Sequence, residues 1–253
     1  MELQNQEAQS LTLANQNTGR TFPAQYVRSM FDSIAHRYDF LNHTLSGGMD
    51  ILWRKDAIAL LAPYNPNHIL DIATGTGDFA IAATSLHPSS IIGMDISRKM
   101  LELAQKKIAK KNLSKVISLT YGTAEHIPYP DSSFDAVTVG FGIRNFENLL
   151  QGLSEIYRVL RKNGVAAILE FSHPRHFPFK QFYKFYSTTI IPILGDWISG
   201  NSEAYTYLPN TIAAFPSCET ISALLRSVGF TSVHCYPKTF GIVTIYIAEK
   251  KEL

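Results

Sequence analysis

The chain predicts a doubly wound α/β fold, a largely parallel sheet carrying an antiparallel hairpin at its C-terminal edge. Three observations predict it. Apolar, β-rich runs alternate with helical runs across residues 68–172, at the spacing of strand–helix–strand units. A glycine-rich turn, "ATGTGD", follows the first of those runs. Two more β-rich runs, "SVHCYP" and "IVTIYIAEK", close the chain with few residues between them, as an antiparallel hairpin requires.

Residues 1–22 are polar and rich in Gln and Asn, and are expected to form a mobile tail. Residues 23–253 then make a single domain. Its first part, residues 23–62, reads as a helical cap. Tyr26, Val27, Met30, Phe31, Ile34 and Tyr38 recur at helical spacing over residues 24–38. A second helix covers residues 53–61 and stops before Pro63, and "YDFLNHTLSGGMD" between the two reads as a turn-rich joint.

The sheet follows. "HILDIA" is the first strand and "GDFAIAATSL" a helix; "SIIGMDI" is the second strand, and Ser97 caps the helix "SRKMLELAQKKIAKKN". "VISLTYG" and "DAVTVGFG" are the third and fourth strands, "ENLLQGLSEIYRVLR" a helix, and "GVAAILEFS" the fifth strand. Residues 173–216 break the alternation with many aromatics and prolines, and are expected to be an insertion that covers the active site.

Composition bounds the function. The 253 residues are 45% hydrophobic and 17% charged with a net charge of +2, which gives no case for nucleic-acid binding. No apolar run approaches the ~18 residues of a membrane-spanning helix. The two cysteines, Cys218 and Cys235, lack metal spacing and suit a reducing cytoplasm, so they read as small buried hydrophobes. His173 and His176 have metal-like spacing without a third ligand, and no metal site is expected.

The glycine-rich turn carries the chemistry. Gly75, Gly77 and Ala80 fit G-x-G-x-x-[GA], and Asp95 ends the second strand about twenty residues on, the pattern of a dinucleotide site with an acid on the ribose. Asp71 before the turn and Asp78 after it argue against a pyrophosphate, which would meet two like charges beside a helix N-terminus. A ligand with an ammonium and a sulfonium finds the same acids favourable. S-adenosyl-L-methionine meets these demands: its ribose diol suits Asp95, and Thr74, Gly75 and Gly77 form the turn around its methionine part. Ile96 and the turn "GTAEHIP" provide a flat apolar slot, where Thr123, Ala124 and the Glu125 carboxylate read the adenine edge.

Two stretches carry a resemblance. "YDFLNHTLSGGMDILWR" (residues 38–54) and "RVLRKNGVAAILEFS" (residues 158–172), with "YPDSSFDAVTVGFGIRN" between them, resemble the ubiquinone/menaquinone biosynthesis C-methyltransferases, from about Val27 to the C-terminus. That family lies within the class I S-adenosylmethionine-dependent methyltransferases, whose Rossmann-like sheet agrees with the fold read above. Departures are Asp50 where the family often has His, Gly140 where it often has Ser, Thr123 where Asp is common, and Asn163 in place of a glycine, a substitution the left-handed region tolerates.

The resemblance implies methyl transfer to a ring carbon of a prenylated hydroquinone, demethylmenaquinol before the benzoquinol of ubiquinone synthesis. It implies that Arg144 stabilises the ring phenolate, directly or through a water, while Asn145, Tyr38 and Asn42 orient the ring hydroxyls. Asp39 is a base or a helix cap. The aromatic and basic run "FPFKQFYKFY" then fits peripheral contact with a membrane surface and a channel for the prenyl tail. The assembly, monomer or homodimer, stays open. A small soluble acceptor and a non-catalytic cofactor-binding scaffold are the alternatives.

Overall fold

The structure, a computed structural model, describes residues 23–172, 174, 181 and 211–251. Helix α1 (Ala24–Ile34) leads through a short 3-10 turn into α2 (Tyr38–Leu45), and α3 (Met49–Leu61) completes the cap. The sheet strands are β1 (His68–Ile72), β2 (Ser90–Asp95), β3 (Ile117–Tyr121), β4 (Phe134–Gly140), β5 (Leu160–Phe171), β6 (Ser232–Lys238) and β7 (Val243–Lys250). Between them run α4 (Asp78–Ala83), α5 (Arg98–Lys110), α6 (Leu149–Val159) and α7 (Cys218–Ser227).

The seven strands lie in the order β3-β2-β1-β4-β5-β7-β6. The first five are parallel; β7 is antiparallel to both β5 and β6. The closing hairpin is therefore present, with its second strand inserted beside β5. Successive β1 residues serve opposite faces. Ile69 packs with Trp53 and Leu61 of α3 and Ile108 of α5, whereas Leu70 and Ile72 join Leu153 and Ile156 of α6 and Leu224 of α7. Each face buries one apolar layer, which is why the strands read as continuous apolar runs. The order reverses between β1 and β4, so a cleft opens at their carboxyl ends.

Several expectations need correction. The joint after residue 38 is mostly helix: α2 runs to Leu45, and only residues 46–48 turn, with Gly47 and Gly48 at φ +58° and +78°. Nothing in "FLNHTL" breaks a helix, and burial of Leu41 holds it against the body. The next helix begins at Met49 rather than Trp53. Helix α7 went unforeseen, although Ser217 caps it by accepting from Thr220 N and Ile221, Leu224 and Leu225 form its buried stripe. Strand β5 starts four residues earlier than expected, at Leu160, and Asn163 stands at φ +62° as its substitution for glycine allows.

The tail at residues 1–22 and most of the expected insertion, with His173, His176 and the aromatic run, lie outside the described residues. The insertion's last residues, Ile212 and Phe215, are buried, and Phe215 belongs to the core layer of α6 and α7.

Candidate active site

The turn after β1 is shaped by a carboxylate it encloses. Asp71 is buried, its Oδ2 accepting from Thr74 Oγ1 at 2.6 Å and its Oδ1 from Thr138 Oγ1 at 2.6 Å. Burial pushes its pKa up to about 6 against the pull of those hydrogen bonds. Asp71 thus braces β1 against β4 from behind the cleft. Thr74 is spent on the same bond and is itself buried. Gly77, at φ +87°, starts α4 beneath the turn, its N–H donating to Thr74 O. Gly75, at φ +57°, is the glycine of the pair whose backbone reaches the cleft wall.

Asp78 is placed elsewhere than expected. Its Oδ1 lies 2.7 Å from Lys107 Nζ, which also contacts Asp39 Oδ2 at 2.6 Å; Asp39 in turn accepts from Thr76 Oγ1. This ion cluster ties α2 of the cap to α4 and α5. Neither Asp71 nor Asp78 lines the cleft, so the direct attraction of both acids for a cation is not what the geometry offers.

Asp95 does reach the cleft. Its Oδ2 accepts from Gly75 N and its Oδ1 from Ser97 N, each at 2.8 Å, and burial pushes its pKa up to about 6. Ser97 caps α5 as expected, accepting from Met100 N, and its hydroxyl donates to Asp32 of α1 at 2.5 Å. Ile96, Met100, Ala124 and Phe146 form an apolar slot beside Asp95, with Thr123 at its edge. Glu125 also lines it, but its Oε1 accepts from Glu147 N at 2.7 Å and so holds the entry to α6. The cleft spans about 700 Å³ including its open mouth.

The cap supplies part of the cleft lining beside Gly75. Tyr38 lines it, packs edge-on to Phe31 at 5.9 Å, and is hydrogen-bonded to Asn42 one turn on. Burial raises the Tyr38 pKa, while Asn42 and the charges of Arg144 and Arg54 pull the other way. Asn145 and Phe141 line the cleft below. Arg144 stands behind them: its Nη1 donates to Phe141 O and to Glu170 Oε1, both at 2.6 Å, and its guanidinium lies over the Phe171 ring. Glu170 is fully buried, and burial raises its pKa against the pull of Arg144. Arg144 thus stands behind the cleft wall at Phe141 rather than on the cleft surface.

Of the residues singled out in the sequence, Tyr38, Gly75, Asp95, Ile96, Thr123, Ala124 and Asn145 line one cleft, and Asn42 adjoins Tyr38. Sequence reasoning overlooked Glu170, Phe141 and Arg54. A lone carboxylate inside "VAAILEF" is the signal that marks Glu170, because a buried charge needs a partner.

The profile of the ubiE/COQ5 methyltransferase family matches residues 20–250. The chain belongs to the ubiE/COQ5 methyltransferase family. A demethylmenaquinone methyltransferase of Bacteroides fragilis is 48% identical over 228 residues, covering 90% of this chain and 93% of that protein. A ubiquinone/menaquinone biosynthesis C-methyltransferase UbiE of Geotalea daltonii is 44% identical over 233 residues, covering 91% and 98%. Among solved structures, a SAM-dependent methyltransferase from Aquifex aeolicus matches with a TM-score of 0.55 at 16% identity, covering 77% of this chain and 89% of that one, a likeness of fold.

In this ubiE/COQ5 methyltransferase the run "RVLRKNG" has a structural use. Arg158 donates to Ile127 O and Tyr129 O and pairs with Glu155 and Asp131, while Glu155 Oε2 accepts from Ile127 N. These bonds fasten the chain after β3, and so the slot at Thr123 and Ala124, onto α6. Among the described residues no helix is long and apolar enough to cross a membrane.

Proposed function

We propose that this methyltransferase transfers the methyl group of S-adenosyl-L-methionine to a ring carbon of a prenylated hydroquinone, demethylmenaquinol, in menaquinone biosynthesis. The observation that carries the reading is one cleft that gathers both sets of groups. Its lining holds the Asp95 carboxylate, the apolar Ile96, Met100 and Phe146, and the polar Tyr38 and Asn145, with the Arg144 guanidinium behind Phe141.

The residues fit the donor. Asp95 keeps acceptor capacity for a ribose diol, since each of its oxygens takes one backbone N–H. Ile96, Met100 and Phe146 provide apolar surfaces for an adenine ring, and the Gly75 turn lets the backbone come close to the amino-acid end. When bound, the donor supplies an electrophilic methyl on a sulfonium. Chemistry at the acceptor then needs alignment and charge stabilisation more than acid catalysis. Tyr38 and Asn42 hold one polar edge of the acceptor ring, and Asn145 the other. Arg144, fixed by Glu170, adds positive potential from behind the wall and favours the ionised ring hydroxyl. Asp71 braces the turn, and Asp78 and Asp39 bind the cap through Lys107.

An apolar prenyl tail has to leave water with the substrate, so the enzyme meets its acceptor at the membrane surface as a peripheral protein. The sequence at residues 177–186 supports that part of the reading through its mix of aromatics and lysines.

A methyl-transfer assay with labelled S-adenosyl-L-methionine, using demethylmenaquinol and the corresponding benzoquinol, tests the function. Methylated naphthoquinol is the expected product. Turnover of the benzoquinol alone would move the reaction to ubiquinone synthesis, and turnover of neither, with donor bound, would remove the reading.

A further inference from the structure

One buried cation behind the cleft wall has no part in the mechanism above. Arg54 of α3 has a side chain only 10% exposed, and its Nη1 donates to Asp50 Oδ2 at 2.6 Å. Its guanidinium carbon stands 5.9 Å from the centre of the Phe141 ring, and Phe141 is a wall of the cleft. Phe141 stacks on Phe171 at 4.7 Å, and Arg144 lies over Phe171. Two arginines therefore flank one aromatic pair, each anchored by its own buried carboxylate.

Each anchor holds its arginine by one terminal nitrogen. Arg144 Nη1 already serves both Glu170 and a backbone carbonyl. Arg54 has Asp50 as its acceptor among the described residues, and a guanidinium carries five N–H donors. Asp50 is in turn firmly set: its Oδ2 also contacts His43 Nδ1 at 2.8 Å, and its Oδ1 accepts from Ser46 Oγ at 2.8 Å. Burial alone would raise the Asp50 pKa, but its bonds to Arg54, His43 and Ser46 outweigh that and hold it below the usual carboxylate range. The carboxylate is thus a permanent anion whose effect is to orient the arginine. A buried arginine held by such a carboxylate is a fixed charge beside the Phe141 wall, and a preorganised charge stabilises developing charge at low expense.

We propose that Arg54, oriented by Asp50, is a positioning residue of this site, whose fixed charge acts through the Phe141 wall and favours the ionised ring oxygen of the acceptor. The proposal rests on the hydroquinone reading given above. In the step it assists, the ring hydroxyl releases its proton to water and becomes a phenolate within the field of Arg54. The electron pair of the ring carbon forms the new bond to the methyl, and the carbon–sulfur bond breaks with its pair staying on sulfur, which becomes a neutral thioether. The ring carbon then loses its proton to water, the oxygen regains one, and aromaticity returns. The net release is one proton.

The test follows the ionisation of a redox-stable acceptor analogue, 4-methoxy-1-naphthol, by absorption in the presence of S-adenosylhomocysteine. The wild-type protein is expected to bind the naphtholate, and Arg54→Gln to bind the neutral naphthol, with at least about a tenfold loss of bound anion at a given pH. In turnover Arg54→Gln is expected to lower kcat roughly 100-fold, with the donor KM within about twofold and with partial recovery in Arg54→Lys. Should Arg54→Gln fail to fold around an uncompensated Asp50, the double variant Asp50→Asn/Arg54→Gln replaces the ion pair by a neutral amide pair and is read in the same way. Equal ionisation of bound naphthol in wild type and variants overturns the role of Arg54. A wild-type protein that transfers methyl to no hydroquinone and binds no naphthol overturns the acceptor reading itself, and the inference with it.

Discussion

Lys107 Nζ lies 2.7 Å from Asp78 Oδ1, so the acid in the first turn of α4 is neutralised by α5 instead of facing the cleft. The same ammonium reaches Asp39 on the cap at 2.6 Å, which makes Lys107 the joint between cap and body. Donor affinity should therefore separate the acids of this region by where they point. Asp78→Asn is expected to change the calorimetric Kd for S-adenosyl-L-methionine less than about threefold, whereas Asp95→Asn weakens it roughly 10- to 100-fold, the worth of hydrogen bonds to a charged group. A large loss in Asp78→Asn would return that acid to the donor site.

Donor binding should also depend on pH through Asp95. Its pKa is pushed up to about 6 by burial, and a protonated carboxyl accepts the ribose diol less well. Affinity is expected to rise as pH passes from 5 to 7 and then level off. In Asp95→Asn the dependence over that window should vanish; a Kd flat from pH 5 to 7 in the wild type would contradict it.

Asp71 gives a linked effect on stability. Its pKa in the fold, about 6, lies above that of an ordinary Asp, so the folded protein holds this proton more tightly than the unfolded chain. The stability this contributes is fully present below about pH 4 and is lost as pH rises through about 6. The melting temperature of Asp71→Asn relative to wild type should therefore improve between pH 4 and pH 7. A difference that does not vary with pH would show that Asp71 is not held in this way.

Gly140 explains a departure from the family pattern. A Cβ at this position would meet Phe79 Cδ1 at 2.8 Å, and Phe79 is buried in the layer beneath the turn. Restoring serine with Gly140→Ser forces that ring to move, and is expected to cost about 1–3 kcal/mol in urea unfolding, the range for overpacked cores. Gly140→Ser with Phe79→Leu should recover part of the loss.

Arg158 binds the slot to α6 through two carbonyls and two carboxylates. Because the side chain is 30% exposed, solvent screens the ion pairs, and the bonds to Ile127 O and Tyr129 O contribute most. Arg158→Ala is expected to lose about 1–3 kcal/mol of stability and to weaken donor binding severalfold. Hydrogen exchange at residues 123–129 should rise in the variant and stay unchanged in β7.

How much of this could be read from the chain depends on the range of the forces involved. Strand–helix alternation, the turn at Gly75 and Gly77, the Ser97 cap and the closing hairpin were legible, because each follows from local sterics and apolar period. The place of Asp95 was legible too, since a strand end facing a glycine turn is itself a local pattern. Helix α7 carries an equally local signal, the Ser217 cap followed by the stripe of Ile221, Leu224 and Leu225.

The partnership of charges was not legible. Asp71, Asp78 and Asp95 are alike in one dimension, all carboxylates around one turn. Packing gave them three different fates: Asp71 between two threonines, Asp78 on Lys107, Asp95 at the cleft. Arg144 and Glu170 are 26 residues apart, and their pairing depends on β4 and β5 lying side by side. The sequence by itself determined the sheet and the family, and set Asp95 beside the glycine turn. Only the tertiary structure decided which charges face the reactants, because an ion pair between distant residues forms where folding has already brought them together and removed the water between them.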